Sequence, residues 1–350
     1  MARIAVVLFN LGGPDSLAAV KPFLFNLFND AAILRMPAPL RYLLARLISA
    51  RRAPIAQEIY RQIGGRSPIV EQTEAQAHAL DARLSDLGEV RSFLAMRYWH
   101  PMAAATAVEV RDFAPDNVVL LPLYPQYSTT TTASSLADWR RQAAAANLAV
   151  PTIAVGCYPV QAGLVAAQAA IIRPALAEAR ATGSAVRVLF SAHGLPQKIV
   201  DGGDPYQWQV EQTVAAVVAA LDEPDLQWST CYQSKVGRLQ WIGPSTEQEI
   251  ALAGRNGEAV VVVPIAFVSE HSETLVELDI DYRDLAERHG VAGYFRVPAV
   301  GTHAAFIDGL ADLVRDTIGR QSEAVHANGG RRLCPAAWPA CGCVGAPPDA

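Results

Sequence analysis

One part of this chain is written twice. Val6-Val7-Leu8-Phe9-Asn10-Leu11-Gly12-Gly13-Pro14, an apolar run stopped by a turn, is echoed by Arg187-Val188-Leu189-Phe190-Ser191-Ala192-His193-Gly194-Leu195-Pro196. Val118-Val119-Leu120-Leu121-Pro122-Leu123-Tyr124-Pro125-Gln126-Tyr127-Ser128 is echoed by Val261-Val262-Val263-Pro264-Ile265-Ala266-Phe267-Val268-Ser269-Glu270-His271. Two further pairs keep the same order: Val90 to Tyr98 with Gln227 to Tyr232, and Thr152 to Cys157 with Tyr294 to Val297. Short apolar runs between Ala-rich helical stretches are the pattern of parallel strands buried on both faces and joined by helices. The fold class read from this is α/β, two related halves that are each a small parallel sheet flanked by helices.

The expected boundaries are 1–170 for the first half, 171–325 for the second, and 326–350 for a tail containing cysteines. The first half carries far more sequence between its first two strands, and the excess, about 16–70, reads as an insertion. Within it Leu40, Leu43, Leu44, Leu47 and Ile48 share one helical face, with Arg41, Arg46, Arg51 and Arg52 off that face. Phe23, Leu24, Phe25, Leu27 and Phe28 precede it. Such a helix either packs on its own domain or forms a greasy lip that admits an apolar substrate and touches a membrane surface.

Charge and cysteine usage narrow the class. A net charge of −5 gives no bulk attraction for nucleic acid. The N-terminal apolar run meets Asn10 and Gly12 too early for a signal peptide, and the long apolar runs further on are interrupted by Gln, Glu, Arg or Pro. Five cysteines, three of them crowded near the end, do not resemble a disulfide framework in a chain of 350 residues. A reducing cytoplasm, with peripheral contact at the inner membrane surface as an added expectation, fits these features.

Ligands of open parallel sheets sit beyond the C-terminal ends of strands. His193 occupies such an end, and the matching position of the other half, near Leu11, is apolar, so the pair reads as one asymmetric active centre; a structural histidine in a turn is the bland alternative. Gly12-Gly13-Pro14 lacks the spacing of a phosphate loop and reads either as a backbone approach to a flat ligand or as a plain tight turn. Glu270, Glu273, Glu277 and Asp281 fall at intervals of three, four and four, an acidic stripe on a helix, beside an apolar one of Leu275, Leu278 and Tyr282. Like charges so spaced cost roughly 0.2–0.5 kcal/mol per pair. Complementing the helix dipole explains Glu270 and Glu273 but not the other two, so the stripe reads as a cation site or, preferably, a proton relay.

At this point a resemblance becomes specific. Phe190 to Pro196, Gln233-Ser234-Lys235-Val236-Gly237, Trp241-Ile242-Gly243-Pro244, Pro264 to Leu275 and Glu277-Leu278-Asp279 resemble signature segments of the ferrochelatases. So do Asn10 to Pro14, Tyr60 with Ile63-Gly64-Gly65, Ser67-Pro68-Ile69, Arg97-Tyr98 with His100-Pro101, and Tyr124 to Ser128, in register from about Ile4 to Leu313. The resemblance implies two Rossmann-like halves of chelatase type and a porphyrin cleft between them. It also implies an enzyme that inserts Fe²⁺ into protoporphyrin IX and releases two protons. By that likeness His193 takes a pyrrole proton or contacts the iron, Glu273 stands with it as an iron contact, and Glu277 continues the acid path. Leu11, Tyr60, Arg97, Tyr98, Tyr124 and Trp241 would meet the ring, while Arg52 and Ser67 would hold propionates. A propionate-binding lysine of the family corresponds to Ile55 here, which puts that contact in doubt, and the apolar Leu11 is that of protoporphyrin users rather than coproporphyrin users. Whether the chain acts as a monomer or a homodimer stays open.

Cys334, Cys341 and Cys343 need a fourth ligand to close a metal site, and Cys157, ending the last strand of the first half, is the candidate; Cys231 reads as a buried thiol. Some ferrochelatases carry a [2Fe–2S] cluster on a C-terminal extension, and the set here resembles a bacterial variant, since the animal fourth ligand would fall at Thr129. Zinc, or unligated thiols, is the competing expectation. Two other functions compete as well: a sister chelatase that loads cobalt or nickel, and a haem or metal carrier on the same fold.

Overall fold

The computed structural model describes residues 2–237, 239–320 and 325–348. The strands are β1 (Arg3–Asn10), β2 (Glu89–Met96), β3 (Asn117–Pro122), β4 (Thr152–Cys157), β5 (Val186–His193), β6 (Gln227–Gln233), β7 (Ala259–Pro264), β8 (Gly293–Arg296) and β9 (Val325–Ala327). The α-helices are α1 (Val20–Phe28), α2 (Ala38–Arg61), α3 (Ile69–Arg83), α4 (Ala103–Phe113), α5 (Thr132–Ala145), α6 (Ala162–Arg180), α7 (Gln197–Asp201), α8 (Tyr206–Leu221), α9 (Thr246–Asn256), α10 (Tyr282–Arg288) and α11 (Ala304–Ile318). A π-helix, Glu273–Asp281, runs directly into α10.

The chain packs as two compact units. Unit 1 holds the residues through Cys157, then Leu310–Leu333 and Gly342–Ala346; unit 2 holds Tyr158–Gly309, Cys334–Cys341 and the residues from Pro347 on. The tail is thus shared between them, and α11 contributes to both.

Unit 1 is built on a parallel sheet of order β2-β1-β3-β4-β9. β1 lies inside it, and Ile4 to Phe9 are all buried, so both faces are covered and the run has no polar alternation. The long connection from β1 to β2 carries α1, α2 and α3. The face of α2 that turns inward carries the small side chains Ala45, Ser49 and Ala53, with Tyr60 near the helix end, and α2 packs along α1. Its outer face leaves Leu40, Leu43, Leu47 and Ile55 between 55% and 67% exposed.

Unit 2 repeats the plan with order β6-β5-β7-β8, all parallel. Every residue of β7 is buried. α6 and α8 cover one face through Ile172, Leu176, Val210, Val214 and Val217; on the other, α9 and α10 bring Ile250, Ala253, Tyr282 and Ala286 together with Leu278 of the π-helix. Among the described residues α6 alone is long and apolar enough to cross a bilayer, although Arg173 and Pro174 interrupt it; its apolar side is part of the unit 2 core.

Candidate active site

The site of unit 2 is assembled where β5 and β6 end. β5 delivers His193 at its last position, paired in register with Gln233 at the end of β6. The His193 ring bonds through Nδ1 to the Gly194 carbonyl at 2.7 Å. A carbonyl only accepts, so Nδ1 carries the hydrogen, and in the neutral ring Nε2 has the free lone pair. That Nε2 faces Glu273 Oε1 at 3.6 Å, while the other carboxylate oxygen of Glu273 lies 3.4 Å from His271 Nε2. One acid therefore stands between two imidazoles. Burial pushes the Glu273 carboxyl up, but His193 and His271 in their protonated forms outweigh it and bring it down to about 2.

Glu277 is held by four donors. Ser234 gives its backbone N–H to Oε1 at 2.8 Å and its hydroxyl to Oε2 at 2.5 Å, Gln233 Nε2 reaches Oε2 at 3.0 Å, and the Tyr282 hydroxyl reaches Oε1 at 3.1 Å. Ser234 does this from a left-handed backbone, φ 65°, a conformation that costs a non-glycine residue energy and aims both of its donors at one carboxylate. Burial and the neighbouring Glu273 charge push Glu277 above the usual carboxylate range, against the pull of Ser234 and Gln233. Two acids in sequence with their proton affinities pushed apart form a donor and acceptor pair.

The four-membered acidic stripe expected from spacing shrinks to this pair. Glu270 Oε1 is bound by Arg296 at 2.7 Å and by the Ala299 N–H at 2.9 Å, and Arg296 also takes Asp279. Asp281 points into solvent. Glu270 precedes the helix, and within it α-helical periodicity does not hold where the backbone bonds run from i to i+5. His271, beside Glu273, is the member of the site that spacing did not single out. Its His-x-Glu relation to Glu273 was the available signal.

The model of the ferrochelatase family matches residues 3–318 of this chain. A ferrochelatase of Caulobacter vibrioides is 53% identical over 344 residues, covering 97% of each chain, and one of Phenylobacterium zucineum is 52% identical, covering 97% of this chain and 98% of that one. The chain belongs to the ferrochelatase family. Among solved structures, the sirohydrochlorin chelatase SirB of Bacillus subtilis in complex with cobalt aligns over 90% of this chain and 95% of its own, with a TM-score of 0.52 at 10% identity, a likeness of fold alone.

The other residues that the ferrochelatase motifs singled out are placed as follows. In unit 2, Trp241 packs its ring beside Gly194, where an added Cβ would lie 3.1 Å from it, and donates its indole N–H to the Val236 carbonyl at 3.1 Å. In unit 1, Arg97 is tied to Asp30 and to Ser134, and Tyr98 is fully buried with its hydroxyl on Asp30 at 2.9 Å. Tyr124 is half-buried, and burial raises its phenol. Leu11 is half-buried and packs with the cluster of Phe23, Leu24 and Tyr60, whereas Arg52 is exposed over the Phe28 ring at 5.7 Å. Ser67 is buried, and a Cβ on Gly13 would sit 2.4 Å from its own Cβ. Gly13 is accordingly required by the packing of Ser67, and Gly12 by its φ of 79°.

The cysteines are all buried and none forms a disulfide among the described residues. Cys157 and Cys343 Sγ are 3.8 Å apart in unit 1, too far for a disulfide. Two thiolates on one tetrahedral metal with bonds of about 2.3 Å stand about 3.8 Å apart, so this pair has the right edge length. Gly156 makes room for it, since an added Cβ would be 2.6 Å from Cys343 Sγ. In unit 2 Gln209 Nε2 lies 3.0 Å from Cys334 Sγ. Among the described residues no group of three or more His, Cys, Asp or Glu side chains is gathered closely enough to hold a metal ion. Cys231 is the buried thiol expected, its pKa pushed up to about 12 by burial.

Proposed function

We propose that this ferrochelatase-family enzyme inserts ferrous iron into protoporphyrin IX, with the pyrrole protons leaving through His193, Glu273 and Glu277. The observation that carries this reading is the position of Glu273 between the Nε2 atoms of His193 and His271, with Glu277 behind it. Metallation exchanges two N–H protons for one Fe²⁺, so a site needs a neutral base at the ring and somewhere to send what it collects. His193 Nε2, unprotonated and half-exposed at the strand end, accepts a pyrrole proton; the ionised Glu273 stabilises the imidazolium formed and, with His193, contacts the incoming iron. Trp241, Tyr124, Tyr98, Arg97, Tyr60 and Leu11 shape or support the surface offered to the macrocycle, and Arg52 and Ser67 take the propionates.

Two finer assignments belong to the same reading. The exposed leucines of α2, with the arginines around them, make peripheral contact with the inner membrane surface of the cytoplasm. Cys157, Cys334, Cys341 and Cys343 would hold a [2Fe–2S] cluster, a reading that the spacing of the Cys157–Cys343 pair supports. Such a cluster supplies a one-electron redox centre and a covalent tie for the tail.

The deciding assay is anaerobic and spectroscopic. Purified protein with Fe²⁺ and protoporphyrin IX should replace the free-porphyrin spectrum by that of haem, faster than with coproporphyrin. Porphyrin binding with no metallation would mark a carrier and end the enzymatic reading.

A further inference from the structure

The acid path needs an outlet, and the π-helix determines where it lies. In an α-helix the side chain one turn beyond Glu277 would be Asp281. Here the Tyr282 N–H bonds to the Glu277 carbonyl five residues back, so Tyr282 replaces Asp281 over Glu277. Its ring is 4% exposed, packed among Ile250, Ala253, Leu278 and Ala286, and its hydroxyl is the one polar group it brings. That hydroxyl lies 3.1 Å from Glu277 Oε1 and 3.3 Å from Glu247 Oε1.

We propose that protons collected at Glu277 leave unit 2 through the Tyr282 hydroxyl to Glu247, and not along the helix to Asp281. This rests on the Glu277 relay proposed above. A phenol has one hydrogen and here meets two carboxylates, so the three groups are satisfied in two arrangements. With Glu277 ionised, Tyr282 donates inward to it. With Glu277 protonated, Glu277 donates to the tyrosine oxygen and Tyr282 donates outward to Glu247. Passage from one to the other breaks the Glu277 O–H bond, forms a new O–H bond at the tyrosine, and moves the original phenolic hydrogen to the Glu247 carboxylate. Charge balances: Glu277 becomes anionic as Glu247 becomes neutral, and no phenolate accumulates, in keeping with burial and the two acids raising the phenol far above its usual range. Glu247 then loses its proton to water.

Glu247 is suited to the last step. It stands partly exposed in the first turn of α9, whose N-terminus is closed by a capping box between Ser245 and Gln248, so water can reach it and take the proton. From the end of β6, Gln233 and Ser234 also donate to Glu277, whereas the Tyr282 hydroxyl reaches Glu277 and an acid of α9 at once.

The test uses full-length enzyme and compares Tyr282→Phe, Glu247→Gln, the double variant and Glu277→Gln. Tyr282→Phe keeps the ring in its core position, and Glu247→Gln, at a half-exposed site, keeps the argument testable if the first variant fails to fold. Each single change is expected to lower kcat by about tenfold or more, leaving KM for porphyrin unchanged, with the double variant no slower than the slower single one. Added small buffers such as imidazole should restore part of the rate, an effect that mere loss of packing would not show. Wild-type kcat in both singles, alongside a crippled Glu277→Gln, overturns the outlet while leaving the relay standing. Wild-type kcat in Glu277→Gln removes the relay and the outlet together.

Discussion

Arg97 donates to Asp30 at 2.8 Å from a guanidinium that is 17% exposed to a carboxylate that is 8% exposed. The same carboxylate oxygen also receives the hydroxyls of Ser134 and Tyr98, and Asp138 lies 3.6 Å from the arginine. Asp30 therefore sets the position of both Arg97 and Tyr98. Asp30→Asn keeps the shape but strands a buried cation, which should cost about 3 kcal/mol of stability. Denaturant titration reads this directly; a loss below 1 kcal/mol would mean that Asp138 suffices.

The acid limb of stability follows from the same group. Burial pushes the Asp30 carboxyl up, but Ser134, the Ala32 N–H, Arg97 and Tyr98 together hold it below its ordinary 3.8. A carboxylate depressed in the folded state adds stability that is complete above its unfolded value and drains away as pH falls through the folded one. Between pH 7 and about 3.8 the Asp30 contribution should be flat. Below that it should fall more steeply in the wild type than in Asp30→Asn. Parallel acid limbs would remove Asp30 from the linkage.

At the other site, His193→Ala should abolish metallation with porphyrin affinity nearly intact, because Nε2 acts on the proton and not on ring binding. Rapid kinetics and a porphyrin titration on the same preparation separate the two. A variant that turns over normally would end the assignment of His193 as the base.

For the tail, freshly purified protein should be coloured by thiolate-to-iron absorption, and Cys343→Ala or Cys157→Ala should lose that absorption. A colourless sample with bound zinc would refute the cluster.

The lip gives a further measurement. Liposomes containing anionic lipid should pellet the protein at low salt, and Leu43→Glu with Leu47→Glu should weaken this at least tenfold, since each buried leucine contributes about 2 kcal/mol. Equal pelleting by wild type and double variant would mean that α2 makes no contact.

Much of the fold was legible because paired apolar runs encode it. All eight proposed strands are present, and both sheets share the order second-first-third-fourth. β9 escaped notice because three residues carry no periodicity. The π-helix escaped because spacing arguments assume 3.6 residues per turn, and with it went the true neighbours of Glu277. Ser67 fills the space beside Gly13, a contact between distant positions that no local pattern records. Likewise the sequence marks Tyr98 as an aromatic after a strand, and only packing shows it buried on Asp30.

β9 lies alongside β4, with Ala154 opposite Val325 and Cys157 opposite Ala327. The C-terminal segment is therefore also a selvedge for the five-stranded sheet. A version of the chain cut after α11 would bare the amides and carbonyls of β4, the kind of raw margin on which other chains nucleate aggregates. Solubility, quite apart from any metal, would thus select for keeping the tail.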